Sequence, residues 1–384
     1  MSKQYTIKIY DKAGTTFKGT LNQSADYTFQ EIINGGLGEF TMTLPKKFDD
    51  TVIVSQLDQL QLWVQDNNSG TAGIKVYSGY IYKIIRTLGE SEQAIQISAI
   101  GYGSRFGFTP DMDSTTNISV VRGSQHIDVM AKAIIDNFKT TIGDSIVNYS
   151  ATSVEASATN ISYTSNCKSV LETLEKVRQM SGSTWFWKVD ADNIFYFKQL
   201  PTTPTHTLKI GKDLTALQIE ENSDDIKNYY VLTNGLQATD TNNLAKGYYS
   251  ATSVASYWKR FEKQVDGRVT DATYMDLLGD AFVTANQNEN KLITFSIRDN
   301  NYGQGYDIET VHVGDTVRIL NSKNVDLYSG NLVITGLTYT PQKLDVIVAD
   351  ARSITSRSLT DLRTSLDQTI YEDVTPTITL VNTD

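Results

Sequence analysis

The sequence predicts a mainly β fold with α/β insertions, built around two tube-like β-barrel domains in one chain. Three observations predict it. First, two stretches roughly 250 residues apart read as copies of one another. Tyr77-Ser78-Gly79 leads through Ile81, Leu88, Ile95 and Ile97, and Tyr328-Ser329-Gly330 leads through Leu332, Tyr339, Val346 and Val348, with no gap needed. Second, apolar residues alternate with polar ones around both copies, the period of a strand with one buried face. Third, 40% hydrophobic residues, 21 Tyr and 13 Phe supply enough apolar surface to offset chain entropy, and only 6 Pro interrupt the chain.

Residues 1–105 read as the first barrel. Tyr5, Ile7 and Ile9 alternate; Phe29, Ile32 and Ile33 precede the turn cluster Asn34-Gly35-Gly36-Leu37-Gly38; Phe40, Met42 and Leu44 alternate again and stop at Pro45. Strands at 60–64, 74–82 and 95–100 bring the set to six or so, enough to close a small barrel or sandwich.

The pattern changes near Arg105, and residues 106–205 read as an α/β insertion. Ser124 is placed to cap a helix carrying Ile127, Met130, Ala131, Ile134 and Phe138. A second helix carries Val170, Leu171, Leu174, Val177 and Met180, with Gly182 placed to end it. Trp185-Phe186-Trp187 and Ile194-Tyr196 then flank Asp190-Ala191-Asp192-Asn193, a hairpin with a polar turn. Residues 206–355 read as the second barrel, with a polar and helical insertion at 235–290 whose helix carries Tyr274, Leu277, Leu278, Ala281, Phe282 and Ala285. Residues 356–384 hold Leu359, Leu362, Leu366 and Ile370 at helical spacing, a C-terminal helix that either docks on the barrel or self-associates. Three copies of a chain with two similar domains can form a pseudo-hexameric ring.

Several function classes are disfavoured. A net charge of −10 opposes nucleic-acid binding, which needs clustered Lys and Arg against phosphate. The single cysteine, Cys167, excludes an internal disulfide framework. No apolar run is long enough to span a membrane, and the N-terminus lacks a signal core. His126, His206 and His312 have no partner at metal-ligand spacing. Gly101-Tyr102-Gly103 with Gly107 reads as a strand end and not a phosphate loop. Asp111-Met112-Asp113 and Asp190 to Asn193 read as solvated turns, because neither completes a calcium loop. No enzyme activity, cofactor or metal is expected, and no catalytic, cofactor-binding or metal-ligating residue is assigned. The aromatic group at 185–187 and 195–197 offers a surface for saccharide stacking only if its rings are exposed. Tyr248, Tyr249, Tyr257 and Trp258, with Leu359, Leu362 and Leu366, are the candidate interface residues, since aromatics concentrate at protein contacts.

Taken together, these segments resemble the baseplate hub proteins of tailed bacteriophages, the tail-tip family that includes the N-terminal part of tail-associated lysins in long-tailed phages of Gram-positive hosts. The likeness rests on Phe29 to Phe40 with Leu44-Pro45, Val170-Leu171-Glu172-Thr173-Leu174 leading to Trp185 and the Asp190 to Asn193 turn, Leu208 to Asp213, Asp224 to Asn228, and Gly314-Asp315-Thr316-Val317. It covers about residues 5–355. The resemblance implies a homotrimer beneath a hexameric distal tail protein, in contact with receptor-binding proteins or a tail fibre. It also implies a virion location, assembly in the host cytoplasm, and a channel that closes or opens for DNA to pass without specific binding. Many relatives continue into a peptidoglycan hydrolase or a fibre, so any such activity is expected on another polypeptide. A receptor- or carbohydrate-binding tail module and the hub of a contractile injection machine are the alternative readings.

Overall fold

The computed structural model describes residues 3–350 apart from 22–25, 46–52, 67–72, 89–92, 114–118, 144, 159, 167, 182–183, 225, 237–238, 240, 266–271, 289, 300–305, 328–331 and 342. The expected C-terminal helix at 356–384, with Leu359, Leu362 and Leu366, and the tripeptide Tyr328-Ser329-Gly330 lie outside the described residues.

The first unit contains β1 (Lys3–Tyr10), β2 (Phe17–Leu21), β3 (Tyr27–Ile32), β4 (Gly36–Pro45), β5 (Gln59–Asp66), β6 (Ile74–Leu88) and β7 (Gln93–Gly101). Alternation sets which face each strand buries. Phe40, Met42 and Leu44 oppose Ala99, Ile97 and Ile95 across the antiparallel β4–β7 ladder, all on the inner face. β7 ends at Gly101, and a 3-10 turn over Tyr102–Gly107 leads out of the unit.

The insertion follows with β8 (Ser119–His126), α1 (Ile127–Ile142), β9 (Asn160–Asn166), α2 (Val170–Met180), β10 (Trp185–Val189) and β11 (Phe195–Gln199). Its own core gathers Ile134 and Phe138 of α1, Leu174 and Val177 of α2, and Trp187, Phe195 and Phe197 of the hairpin. Two local expectations are corrected. Ser124 belongs to β8 and caps nothing; His126 holds the N-cap position of α1, without a side-chain cap. The capping box of α2 is formed instead by Ser169 and Glu172: the Glu172 amide donates to Ser169 Oγ at 3.2 Å and the Ser169 amide to Glu172 Oε2 at 2.8 Å.

The second unit opens with β12 (His206–Lys209) and β13 (Leu214–Asn222). A subdomain of β14 (Tyr229–Thr233), β15 (Ala245–Tyr249), α3 (Ala251–Tyr257), β16 (Phe261–Val265) and α4 (Ala272–Asn286) comes next. Its third core holds Tyr230, Leu232, Tyr248, Met275 and Phe282. The unit closes with β17 (Asn290–Arg298), β18 (Thr316–Leu320), β19 (Leu332–Tyr339) and β20 (Lys343–Asp350).

The two units repeat one another strand by strand. The first runs β1-β5-β6-β7-β4-β3 across the sheet and the second β12-β18-β19-β20-β17-β13, in the same chain order. The register repeats as well. Ile81↔Ala99, Arg86↔Ile95 and Leu88↔Gln93 on the first hairpin recur at one constant offset as Leu332↔Asp350, Leu337↔Val346 and Tyr339↔Leu344 on the second. The same offset turns Met42↔Ile97 and Leu44↔Ile95 into Ile293↔Val348 and Phe295↔Val346. One detail breaks the repeat, since β1 meets β5 antiparallel while β12 meets β18 parallel.

The expectation of a closed barrel in each unit is corrected. Among the described residues the strands form one 13-stranded sheet that joins the units through β3 and β19, without a closing ladder. The units also share one core, running from Ile7 and Phe29 to Phe295 and Val348. Alternation reports that a strand has one buried face; it carries no information about which strand lies at its edge.

Candidate assembly interface

The junction between units is built from side chains far apart in the chain. Phe29↔Tyr339, Gln30↔Thr338, Glu31↔Leu337 and Ile32↔Gly336 face one another across the antiparallel β3–β19 ladder. The Phe29 and Tyr339 rings stack with centroids 4.4 Å apart at 10°, and the Tyr339 hydroxyl donates to the Val311 carbonyl. At the other end of β3, the Tyr5 hydroxyl donates to the Pro341 carbonyl at 2.9 Å.

Two charged clusters pin the junction. Glu31, buried on β3, meets Lys188 of the insertion at 3.3 Å and His312 of the second unit at 3.4 Å. Lys188 also donates to the Val313 carbonyl at 3.1 Å. Burial alone would raise the Glu31 carboxyl, but the Lys188 ammonium and His312 hold it below the usual carboxylate range. In the second cluster Lys3 of β1 meets Asp299 at 2.6 Å, Asp307 at 3.5 Å, and Glu309. One ammonium faces three carboxylates there. Burial and the hydrogen bond with Asp307 push Glu309 up to about 7. Neither cluster has a local sequence signal, since Lys3 and Glu31 each lie more than a hundred residues from the charged groups they meet.

The insertion seats on the same region. Asn34, in a left-handed conformation, donates its amide to the Trp187 carbonyl at 3.0 Å, and its side-chain oxygen accepts from the Trp187 amide at 3.1 Å. Gly36 has φ of +86°, and a Cβ there would sit 2.4 Å from the Val189 carbonyl oxygen. Gly314, at φ +85°, lies flat under Phe186, whose ring a Cβ would meet at 2.3 Å. The turn at Asn34 to Gly38 is therefore both a hairpin turn and the docking point of β10. A cleft of about 500 Å³ lies beside it, lined by Glu31, Lys188, Asp190, Tyr196, His312 and Asp315 among others.

The sheet face opposite the core carries polar side chains together with charged Lys83, Arg298, Lys343 and Asp345. Thr28 and Thr41 are opposed on it, Thr43 opposes Gln96, and Asp345 opposes both Thr338 and Ser296. Gln30 and Thr338 carry this row across the junction.

The structure divides the sequence-predicted interface residues. Tyr248 faces inward, 5% exposed against α4, with its hydroxyl on Asp276 at 2.6 Å. Tyr249 and Trp258 face outward at 62% and 80% exposure. Tyr257 ends α3 and is half-buried. Tyr229 stacks between Tyr249 and Phe261 at 5.8 and 6.2 Å, and Lys259 Nζ sits 3.6 Å above its ring. One face of the β15-β14-β16 sheet is thus an exposed aromatic row. Sequence reasoning missed Tyr229 and Phe261; their alternation with buried Tyr230 was the available signal.

Other candidate chemistry resolves into architecture. Trp185, Phe186, Trp187, Phe195 and Phe197 are all buried, and Tyr196 alone of this group is half-buried, on the wall of the cleft. Asp111 is enclosed and takes both Nη atoms of Arg122 at 2.6 Å, which corrects its reading as a solvated turn residue. Asp190 Oδ1 accepts from the Asp192 and Ile194 amides at 2.9 Å, closing its own turn. His206 bridges the Tyr306 hydroxyl and Asp315, both at 2.9 Å. No group of three His, Cys, Asp or Glu suited to a metal occurs among the described residues, and no helix there is long and apolar enough to cross a membrane.

The sequence matches no protein-family model and no curated protein. The fold is shared with solved structures. The 43 kDa tail protein of prophage MuSo2 from Shewanella oneidensis aligns over 91% of this chain and 99% of its own, with a TM-score of 0.61 at 12% identity. The tail protein from Neisseria meningitidis MC58 aligns over the same shares, with a TM-score of 0.61 at 10% identity. Prophage tail protein gp18 from Listeria monocytogenes EGD-e aligns over 94% and 98%, with a TM-score of 0.53 at 11% identity. At these identities the likeness is one of fold.

Proposed function

We propose that this chain is a structural protein of a bacteriophage tail baseplate: a homotrimeric hub whose two like units per chain form a pseudo-hexameric ring. The observation that carries the reading is the repeat of strand order and register between the units. A trimer of such chains offers six similar faces to a hexameric distal tail protein on one side and three-fold symmetry to the tip on the other. The shared fold with three phage tail proteins, over nine-tenths of the chain, supports a tail role.

The ring surrounds a channel and the hub closes or opens it for DNA. A net charge of −10 and a row of Thr, Ser and Gln on the open sheet face suit a wall along which DNA slides without adhering. Opening is a population shift between two packings, biased by receptor-binding proteins or a tail fibre. The work is mechanical, not enzymatic. The protein is assembled in the host cytoplasm and resides in the virion at the tail tip.

Antibodies raised against the chain and applied to tailed particles from the strain that encodes it test this reading by electron microscopy. Label at the tail end distal to the head is expected. Label on the head, or purified particles that lack the chain, overturns the reading.

A further inference from the structure

Trp258 holds a backbone conformation that glycine favours, with φ +62° and ψ 172°. Buried Asn228 clamps it there: its Nδ2 donates to the Trp258 carbonyl at 2.7 Å, and its Oδ1 accepts from the Arg260 amide at 2.8 Å. The Asn228 and Tyr229 amides both donate to the Arg260 carbonyl, at 3.2 and 3.1 Å. The loop of Trp258, Lys259 and Arg260 is thus fixed on either side of Lys259, yet Trp258 stands 80% exposed. Strain maintained beneath an exposed ring positions that ring for something outside the chain.

The surroundings of Trp258 define what that is. Lys259 lies over Tyr229, whose ring stands in a row with Tyr249 and Phe261, so the loop and the row share one end of the sheet. Further along the same face Val231 opposes Lys263 and Thr233 opposes Val265. Phe261 and Val265 are 57% and 50% exposed. No described position of this face is acidic, although the chain as a whole carries a net charge of −10. An aromatic tip rimmed by Lys259, Arg260 and Lys263 fits an anionic bilayer surface. Trp, Tyr and Phe settle at the boundary between headgroups and acyl chains, and lysine stems lie along apolar groups while their ammonium groups reach lipid phosphate. Protein interfaces are also rich in aromatics but are depleted in lysine, which favours lipid over a protein partner.

We propose that this end of the subdomain is a membrane-docking tip. Trp258, Tyr249 and Phe261 enter the headgroup region of a bilayer rich in anionic phospholipid, and Lys259, Arg260 and Lys263 pair with its phosphates. The tip lies in the interface and does not span the bilayer, so it needs no long apolar helix. The attraction is local, since screening at physiological ionic strength limits it to about 8 Å, and the acidic remainder of the surface does not cancel it. The inference stands independently of the ring: a single chain carries the whole tip.

Flotation of the full chain with lipid vesicles tests the proposal, comparing phosphatidylcholine alone with phosphatidylcholine and phosphatidylglycerol in equal parts. The chain is expected to float with the anionic vesicles and not with the neutral ones, and to be released at about 1 M salt, where screening confines charge attraction to about 3 Å. Trp258→Ala should lower the partition coefficient about tenfold, the loss of one apolar side chain from the interface. Lys259→Glu with Lys263→Glu should abolish flotation, and both variants should keep the thermal midpoint of the parent. Lipids brominated on the acyl chain should quench the emission of the parent but not that of Trp258→Phe, because Trp185 and Trp187 are buried and Trp63 lies under Lys8. No flotation by the folded parent overturns the proposal, as does flotation that both sets of substitutions leave unchanged. Flotation without quenching means attraction by charge alone and overturns insertion of the tip. An emission shift on polyglutamate, with no response to vesicles, assigns the face to an acidic protein partner and overturns the lipid assignment.

Discussion

Phe29 and Tyr339 stack face to face across the one ladder that joins the two repeats among the described residues, with centroids 4.4 Å apart. Both rings are buried, and Phe29 also lies 5.3 Å from Tyr77 in the first unit. The two units are therefore one cooperative body with a shared core. Phe29→Ala should cost about 3–5 kcal/mol, the range for emptying a buried aromatic site. In urea titrations the midpoint should fall for probes in both units together. Separate transitions for the two units in the parent protein would contradict the shared core.

Glu309 gives the Lys3 cluster a pH dependence of definite sign. Its carboxyl is raised in the folded chain to about 7 from the ordinary value of 4.5. The folded state holds the proton more tightly, so this contribution is complete below the unfolded value and is lost as pH rises through about 7. Denaturation midpoints should fall between pH 5 and pH 8, and Glu309→Gln should flatten that slope. A midpoint that rises over this window in the parent, relative to Glu309→Gln, would contradict the assignment.

Glu31 works in the opposite sense. Its folded value is lowered by Lys188 and His312 against burial, so its contribution is present above the ordinary carboxylate range and disappears as pH falls through the lowered value. Lys188→Met should remove this acid-side dependence and leave a buried carboxylate short of a partner, a loss of about 3–5 kcal/mol at neutral pH. Chemical denaturation at several pH values measures both.

Gly36 permits the contact between the first hairpin and the insertion. With φ at +86° and the Val189 backbone at 2.4 Å from a built Cβ, Gly36→Ala should cost more than about 1 kcal/mol. Hydrogen exchange at the Asn34 and Trp187 amides should speed up before exchange in α1 does. Uniform acceleration across the chain would mean that the contact is not local.

The aromatic face of the subdomain separates surface from core. Tyr249→Ala and Trp258→Ala should leave the thermal midpoint within the small range of surface substitutions, about 0.5 kcal/mol. Tyr248→Ala removes a buried ring bound to Asp276 and should lower the midpoint clearly. Equal effects at Tyr248 and Tyr249 would overturn this division.

Much of this fold was legible because it is written in local periods. Alternation at 40, 42 and 44 and at 95, 97 and 99 locates β4 and β7, and the apolar spacing from Ile127 to Phe138 locates α1. The hairpin with Asp190 to Asn193 at its tip follows from the same logic. The repeat was legible to the residue, since the offset read from Ile81 and Leu332 is the offset of the ladders. Closure was not. The partner of β3 is β19, more than three hundred residues later, and no local pattern specifies that choice. Asp111 reads as a solvated turn until Arg122 is seen to enclose it, and Tyr248 and Tyr249 differ only by which face of β15 each one takes.

In the proposed assembly three copies of this chain place six like units around a channel. Two-dimensional class averages of the purified protein in negative stain, from a fraction of measured mass, test it most directly. A mass near three times 42.7 kDa is expected, with a ring of six similar lobes about a central hole, three-fold symmetry exact and six-fold approximate. A monomeric or two-fold particle, at concentrations well above those of assembly, would contradict it.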